Sequence, residues 1–276
     1  MSGVSGPVLA DPASRWSDLT LRVLSALVLL PVAVLCLWAG GWWFAALAVI
    51  GWIGLGVEWA ALCGYSAMAW PGIVLPVTGA LAVLCAAAGV PWAGLVSLAA
   101  GAAAIAVSSR FTLALGVPYI GLAAIALVWL RADPVAGWPN ALFVLSVIWA
   151  SDIGAYMTGR LLGGPKLAPS LSPGKTWSGA MGGLISAVLA ALAVAACFSS
   201  GFSPSHVTGL ALVLGCVSQA GDLFESALKR HFGVKDSGHV IPGHGGLLDR
   251  LDALLTVAPA AALLALSVGR GVVLWR

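Results

Sequence analysis

Apolar residues in this chain come in long unbroken runs separated by short polar breaks. A membrane helix needs about 20 such residues. Nine runs of roughly that kind can be placed: Leu21–Ala39, Trp42–Leu62, Gly72–Gly89, Trp92–Ser108, Leu113–Leu130, Asn140–Gly159, Trp177–Phe198, Val207–Leu228 and Leu251–Val268. A membrane barrel would alternate apolar and polar positions, and these runs do not. Lipid offers the backbone no hydrogen-bond partners, which leaves the helix bundle as the solution. The expected fold is therefore all-α, a polytopic integral membrane helical bundle of about nine transmembrane helices. Residues 1–20 read as a short cytoplasmic tail, 21–139 as N-terminal membrane helices, and 140–276 as C-terminal membrane helices with cytoplasmic loops, all in one membrane domain. Trp38, Trp42, Trp43, Trp70, Trp92, Trp138 and Trp177 fall near span ends, where aromatic rings anchor at the membrane–water boundary.

Composition agrees. The chain is 61% hydrophobic and 8% charged, whereas a soluble domain carries about 25% charged residues. The net charge of +3 is too small to argue for nucleic acid. Cys36, Cys63, Cys85, Cys197 and Cys216 lie in apolar runs without paired spacing and read as small hydrophobes. The first run is longer than a signal-peptide core, and no small-residue cleavage site follows it. With the N-terminus inside, Arg15, Arg22, Arg110, Arg160, Lys166, Lys175, Lys229, Arg230, Lys235 and Arg250 face the cytoplasm, and only Arg131, Arg270 and Arg276 lie outside. That is a clear positive-inside bias. Membrane lipids are thus one partner.

Most ionisable residues follow Asp152. Acids in a membrane span are costly and point to function by default. Asp222 and Glu225 are spaced i,i+3, as are Asp249 and Asp252, so each pair shares a helix face. Asp222 lies near the end of the eighth span and Asp249 at the start of the ninth, so both can converge at one membrane face. Convergent carboxylates suit Mg²⁺, which takes a few carboxylates together with phosphate oxygens and water. Glu225 and Lys229, at i,i+4, read as a structural ion pair. Lys166, Lys175, Lys229, Arg230, Lys235 and Arg250 can reach one cavity mouth, while topology or lipid headgroups account for Arg160. Ser172-Pro173-Gly174-Lys175-Thr176 looks like the end of a phosphate-binding loop, but Pro169 stands where that pattern needs Gly and no strand is expected before it. A turn of this kind before a helix can still hold phosphate. His244-Gly245-Gly246 permits close backbone approach to a ligand. Glu58, alone at the end of the second span, reads as a snorkelling side chain.

The stretch from Ser226 to Asp252 carries a resemblance. Ser226-x-Leu228-Lys229-Arg230-x4-Lys235-Asp236-x-Gly238-x2-Ile241-Pro242-x-His244-Gly245-Gly246-Leu247-x-Asp249-Arg250-Leu251-Asp252 is similar to the signature of phosphatidate cytidylyltransferases (CDP-diacylglycerol synthases), without departure over its 27 residues. Gly221-Asp222-Leu223-x-Glu225, Ala150-Ser151-Asp152-x-Gly154-Ala155-Tyr156 and Ser172-Pro173-x-Lys175-Thr176 resemble the family too. The N-terminal half agrees mainly in hydrophobicity, with Glu58-Trp59 a faint echo.

The resemblance implies a bacterial inner-membrane enzyme of phospholipid synthesis, a homodimer with its site facing the cytoplasm. It implies conversion of CTP and phosphatidate to CDP-diacylglycerol and pyrophosphate with Mg²⁺, and leaves room for a second cation. On this reading Asp222 and Asp249 hold the metal, and Lys175, Lys229, Arg230, Lys235 and Arg250 clamp phosphates. Asp152, Ser172 and Thr176 shape the nucleotide or metal site, with Lys166, Ser226, Asp236, His244, Gly245, Gly246 and Asp252 as further substrate-binding candidates. Two alternatives remain open at this point. A CTP-dependent lipid kinase would transfer the γ-phosphate and release CDP. A transporter would place acids on an ion path, although here the charges cluster at one face.

Overall fold

The computed structural model describes residues 27–108, 111–238 and 245–276. Helix α1 (Leu27–Ala39) is followed by α2 (Gly41–Leu62), α3 (Trp70–Ala87), α4 (Pro91–Ser108), α5 (Phe111–Arg131) and α6 (Gly137–Leu162). A hairpin of β1 (Lys166–Ala168) and β2 (Ser172–Thr176) leads to α7 (Trp177–Phe198), α8 (Pro204–His231) and α9 (Leu248–Val268). Among the described residues eight helices, α2 to α9, are long and apolar enough to cross a membrane. The first expected span is described only from Leu27 onward, as the shorter apolar α1. The start of that span, the 1–20 tail, Arg15, Arg22, Arg110, His239 and His244 lie outside the described residues.

The outer surface of the bundle, unlike that of a water-soluble protein, is apolar. Large side chains such as Leu30, Ile50, Val107, Leu189 and Leu263 are exposed on its outer surface. Lipid replaces water as their solvent, so exposing them carries no hydrophobic cost. The interior is apolar too, with Leu75, Ile105, Leu113 and Ile120 fully buried, and small residues at helix contacts let the backbones approach closely. Between α6 and α7, a Cβ on Gly154 would collide with Ser186, and one on Gly182 with Thr158. Those absent side chains let the two helices lie against each other along much of their length. The helices α2 to α5 pack together, as do α6 to α9, and α5 lies against α9 to join the groups.

Alternating helix directions gather the C-terminal ends of α1, α5, α7 and α9 at one end of the bundle. There Arg131 donates to the carbonyls of Leu37 at 2.6 Å and Trp38 at 2.8 Å, closing the last turn of α1. The segment after α9 folds back over this end. Gly271 N–H donates to Asp133 (2.7 Å), Leu274 N–H to Asn140 (2.9 Å) and the Trp275 indole to Ser199 (3.3 Å). Trp275 is fully buried and stacks on Phe143 at 4.9 Å.

The opposite end holds the C-terminal ends of α2, α6 and α8, the start of α7 and α9, and the hairpin. The turn expected at Ser172–Thr176 is strand β2, paired antiparallel with β1 through Lys166↔Thr176 and Ala168↔Ser172. A strand of three residues pairing with one of five is too short for periodicity to reveal. Thr176 then caps α7, its hydroxyl accepting the Gly179 N–H at 3.1 Å.

Candidate active site

Helices α6, α7 and α8 and both strands of the hairpin line a cleft of about 650 Å³ at the hairpin end. From α6 come Asp152, Tyr156 and Arg160, each one turn after the last and therefore on one face. From α8 come Gln219 and Asp222, and from β2 Lys175 and Thr176. The volume lies within the range of small-molecule sites. The Lys175 ammonium stands 2.5 Å from an Asp222 oxygen across the cleft, with both side chains partly exposed. Arg160 donates to the Tyr156 hydroxyl at 2.7 Å and lies over that ring. The Gln219 amide donates to the Ala180 carbonyl at 2.9 Å, which ties α8 to α7 beneath the cleft. Asp152 feels the charges of Asp252, Asp222 and Lys175.

Behind the cleft lies a second, tighter cluster. Lys229 donates to Asp249 Oδ1 at 2.6 Å and stands 3.5 Å from Glu225 Oε2. The expected Glu225–Lys229 pair is therefore the looser of two contacts. Asp249 Oδ2 accepts from Ser237 N–H (3.0 Å), Ser237 Oγ (3.0 Å) and Gly246 N–H (3.2 Å). Glu225 is buried, and among the described residues its oxygens accept no hydrogen bond. Asp252 lies between the clusters, within electrostatic reach of Glu225 and Asp222.

The glycines of the 245–246 turn serve this cluster. Gly245 has φ +82°, a left-handed conformation that favours glycine. A Cβ on Gly246 would strike Ser237 Oγ and approach Asp249 Oδ2 to 2.9 Å. In the described residues, then, the close approach is to the protein's own side chains. Glu58 also belongs here and does not snorkel. It is 2% exposed, it accepts from Leu247 N–H (2.7 Å) and Leu248 N–H (2.8 Å), and it lies 3.3 Å from Ser237 Oγ.

Of the residues expected from the sequence, Asp152, Lys175, Thr176 and Asp222 line the cleft, while Lys229, Asp249 and Gly246 form the cluster behind it. Lys166 and Ser172 are on the hairpin but not in the cleft wall, and Ser226 is half-buried on α8. Arg230 reaches the Leu171 carbonyl at 3.4 Å, which joins α8 to the hairpin. Lys235, Asp236 and Arg250 are exposed at the same end. From sequence, Tyr156 stood only inside a motif, Arg160 was assigned to topology or lipid headgroups, Glu58 to snorkelling, and Gln219 carried no role. Tyr156 and Arg160 are one and two turns beyond Asp152, and Gln219 is one turn before Asp222, so helical spacing held the signal. Nothing local marked Glu58 as a partner of α9.

Among the described residues no three His, Cys, Asp or Glu side chains come together closely enough to cage a metal unaided. Mg²⁺ does not require that, since one or two carboxylates with phosphate oxygens and water suffice. The donor set fits such an ion. Five carboxylates (Asp152, Asp222, Glu225, Asp249 and Asp252) face two ammonium groups, from Lys175 and Lys229. Each lysine sits on an acid where a cation is called for. Asp222 opens onto the cleft. Asp249 already receives four donors, about the full capacity of a carboxylate, so it joins a metal only by exchanging one of them.

Residues 20–268 match the family model described as the Cytidylyltransferase family. A phosphatidate cytidylyltransferase from Brucella suis is 42% identical over 249 residues, 88% of this chain and 91% of that protein. Proteins of the same name from Haemophilus influenzae (42% identical, 54% of each chain) and Staphylococcus saprophyticus (38% identical, 56% of this chain and 58% of that one) match over 154 residues.

Proposed function

The chain belongs to the cytidylyltransferase family, and from that premise we propose how its cleft works. It is an integral membrane nucleotidyltransferase of phospholipid synthesis, joining CTP and phosphatidate into CDP-diacylglycerol and pyrophosphate. The observation that carries the reading of the site is the cleft itself, where Asp152, Lys175 and Asp222 meet at one end of an apolar bundle. Anionic phosphates need cations and a polar cavity, and the acyl chains need lipid. Only a site at the membrane boundary supplies both.

A phosphate oxygen of phosphatidate forms a bond to the α-phosphorus of CTP. The bond from that phosphorus to the α–β bridging oxygen breaks, and pyrophosphate leaves with the electron pair. The nucleophile is already anionic, so no strong base is needed, and catalysis is mainly positioning and charge neutralisation. Lys175 meets the incoming phosphates from the cleft wall, leaving Asp222 as they arrive. Arg160, from α6, adds a second cation to the lining. Lys229 is held ready by Asp249, with Arg230, Lys235 and Arg250 at the cytoplasmic rim. Asp222 would hold Mg²⁺, with Asp249 as the second carboxylate once it exchanges a donor. Bound there, the ion would neutralise charge on the phosphates and on the leaving group. Glu225 and Asp252 leave capacity for a second cation.

We place the cleft on the cytoplasmic side of a bacterial inner membrane. The cleft end carries Arg160, Lys166, Lys175, Lys229, Arg230, Lys235 and Arg250, whereas Arg131 and Arg270 sit at the other, a distribution that supports this orientation. The homodimer rests on the family resemblance alone. The test is turnover by the purified protein in liposomes containing phosphatidate, with CTP labelled at the α- or the γ-phosphate. Label from the α-position is expected in the lipid, and label from the γ-position in pyrophosphate. Label from the γ-position in the lipid, with release of CDP, would overturn the reading in favour of a lipid kinase.

A further inference from the structure

The N-terminal helices are more than scaffold for this site. Helix α9 begins at Leu248, and its N-cap residue, Leu247, has no side-chain acceptor to offer. The first N–H groups of a helix need acceptors from elsewhere. Here α2 supplies one across the bundle: Glu58 accepts from Leu247 N–H at 2.7 Å and Leu248 N–H at 2.8 Å. The positive end of α9 thus faces the Glu58 carboxylate. The surroundings are shaped to this contact. Gly54, one turn earlier on α2, leaves room for Leu247, whose δ-carbon a Cβ there would approach to 2.9 Å. A Cβ on Gly238 would lie 3.0 Å from Glu58 Oε1.

The contact extends to the chemistry through Ser237. Its hydroxyl lies 3.3 Å from Glu58 Oε2 and 3.0 Å from Asp249 Oδ2. It has one proton for two carboxylates, and its own N–H donates to Asp249 at 3.0 Å. Glu58 therefore fixes both the helix end that carries Asp249 and the serine that orients its carboxylate. Asp249 in turn holds Lys229 at 2.6 Å.

We propose that Glu58 is a positioning residue for the nucleotidyl transfer, acting through Ser237 and the first turn of α9 on Asp249 and Lys229. The inference rests on the reading that Asp249 and Lys229 serve the reaction. Glu58→Gln conserves volume but replaces one acceptor oxygen with a donor amide, which then faces backbone N–H groups or the Ser237 hydroxyl. Small misplacement of a charged group costs up to about 100-fold in rate.

The experiment uses the full chain in liposomes, with wild type, Asp249→Asn, Glu58→Gln, Glu58→Asp, Ser237→Ala and the Glu58→Gln/Ser237→Ala double variant. Glu58→Gln is expected to lower kcat about 10- to 100-fold, with the KM for CTP and phosphatidate changed by no more than about threefold. Ser237→Ala should lower kcat in the same direction, and the double variant should be scarcely slower than the worse single one, because both act through one path. Glu58→Asp, which keeps the charge, should recover part of the rate. A wild-type kcat for Glu58→Gln overturns the proposal, as does a double variant whose loss is the product of the two single losses. Should Glu58→Gln fail to fold, Glu58→Asp and Ser237→Ala decide, and wild-type rates in both overturn it. Full activity of Asp249→Asn would instead refute the underlying reading of Asp249, a separate outcome.

Discussion

Lys175 and Asp222 form the shortest ion pair of the cleft, and replacing Lys175 by Met separates a structural from a catalytic role. The pair is 2.5 Å long, with side-chain exposures of 25% and 35%. A pair this wet is screened by solvent, and exposed pairs contribute about 0–1 kcal/mol to stability. Met keeps the length and apolar stem of the lysine, so the melting temperature should move little. Catalysis is another matter. If the ammonium neutralises charge developing on the phosphates, losing it removes a preorganised donor, and such losses cost roughly 10²–10³ in kcat. The assay is CDP-diacylglycerol formation by Lys175→Met at saturating CTP and phosphatidate, alongside a thermal melt in the same detergent. The charge-reversed double variant, Lys175→Asp with Asp222→Lys, completes the test. It can rebuild an ion pair but leaves both charges on the wrong elements, so it should melt near wild type and stay inactive. If Lys175→Met melted far below wild type while the folded fraction kept its kcat, the lysine would be a strut, and the assignment of the cleft's phosphate contact to it would be refuted.

Two further outcomes follow from the other end of the bundle. Trp275→Ala removes a fully buried ring stacked on Phe143, a change that typically costs about 3–5 kcal/mol. It should lower the melting temperature strongly yet leave the KM for CTP unchanged, because the cleft lies at the opposite end. Burial pushes the Asp133 carboxyl up, but N–H groups of Ala136, Gly271 and Val135 and the charge of Arg270 outweigh it and hold it below its usual value. A lowered folded value means stability that is present above the unfolded carboxyl's pKa of about 3.9 and is lost as pH falls through the folded value. Melting temperatures recorded from pH 6 down to pH 3 should therefore decline less steeply in Asp133→Asn than in wild type.

Much of the site was legible in one dimension because its parts are local. Asp222 and Asp249 stood out as acids at the ends of apolar runs, and Lys175 as a cation in a Ser/Gly/Thr-rich break. Tyr156, Arg160 and Gln219 lie at helical spacing from Asp152 and Asp222, so the helix period carries them to the same face. Three features resisted. The β1–β2 hairpin is too short to leave a periodic trace. The roles of Asp249 and Asp252 depend on how α9 is rotated against α8, and sequence spacing does not specify that rotation. Glu58 looked like an isolated acid because its partners, Ser237, Leu247 and Leu248, are about 180 to 190 residues away.

From the amino-acid sequence alone came the membrane spans, the concentration of charge at one end, and the residue types that handle phosphate. These follow from transfer of side chains between water and lipid, which each segment undergoes largely by itself. The tertiary structure decided which carboxylate meets which ammonium, that α2 caps α9, and that the last residues clasp the far end of the bundle. A hydrogen bond reaches only about 3 Å. Its partners are therefore settled by how distant helices cross and rotate, and that arrangement belongs to the packed bundle as a whole.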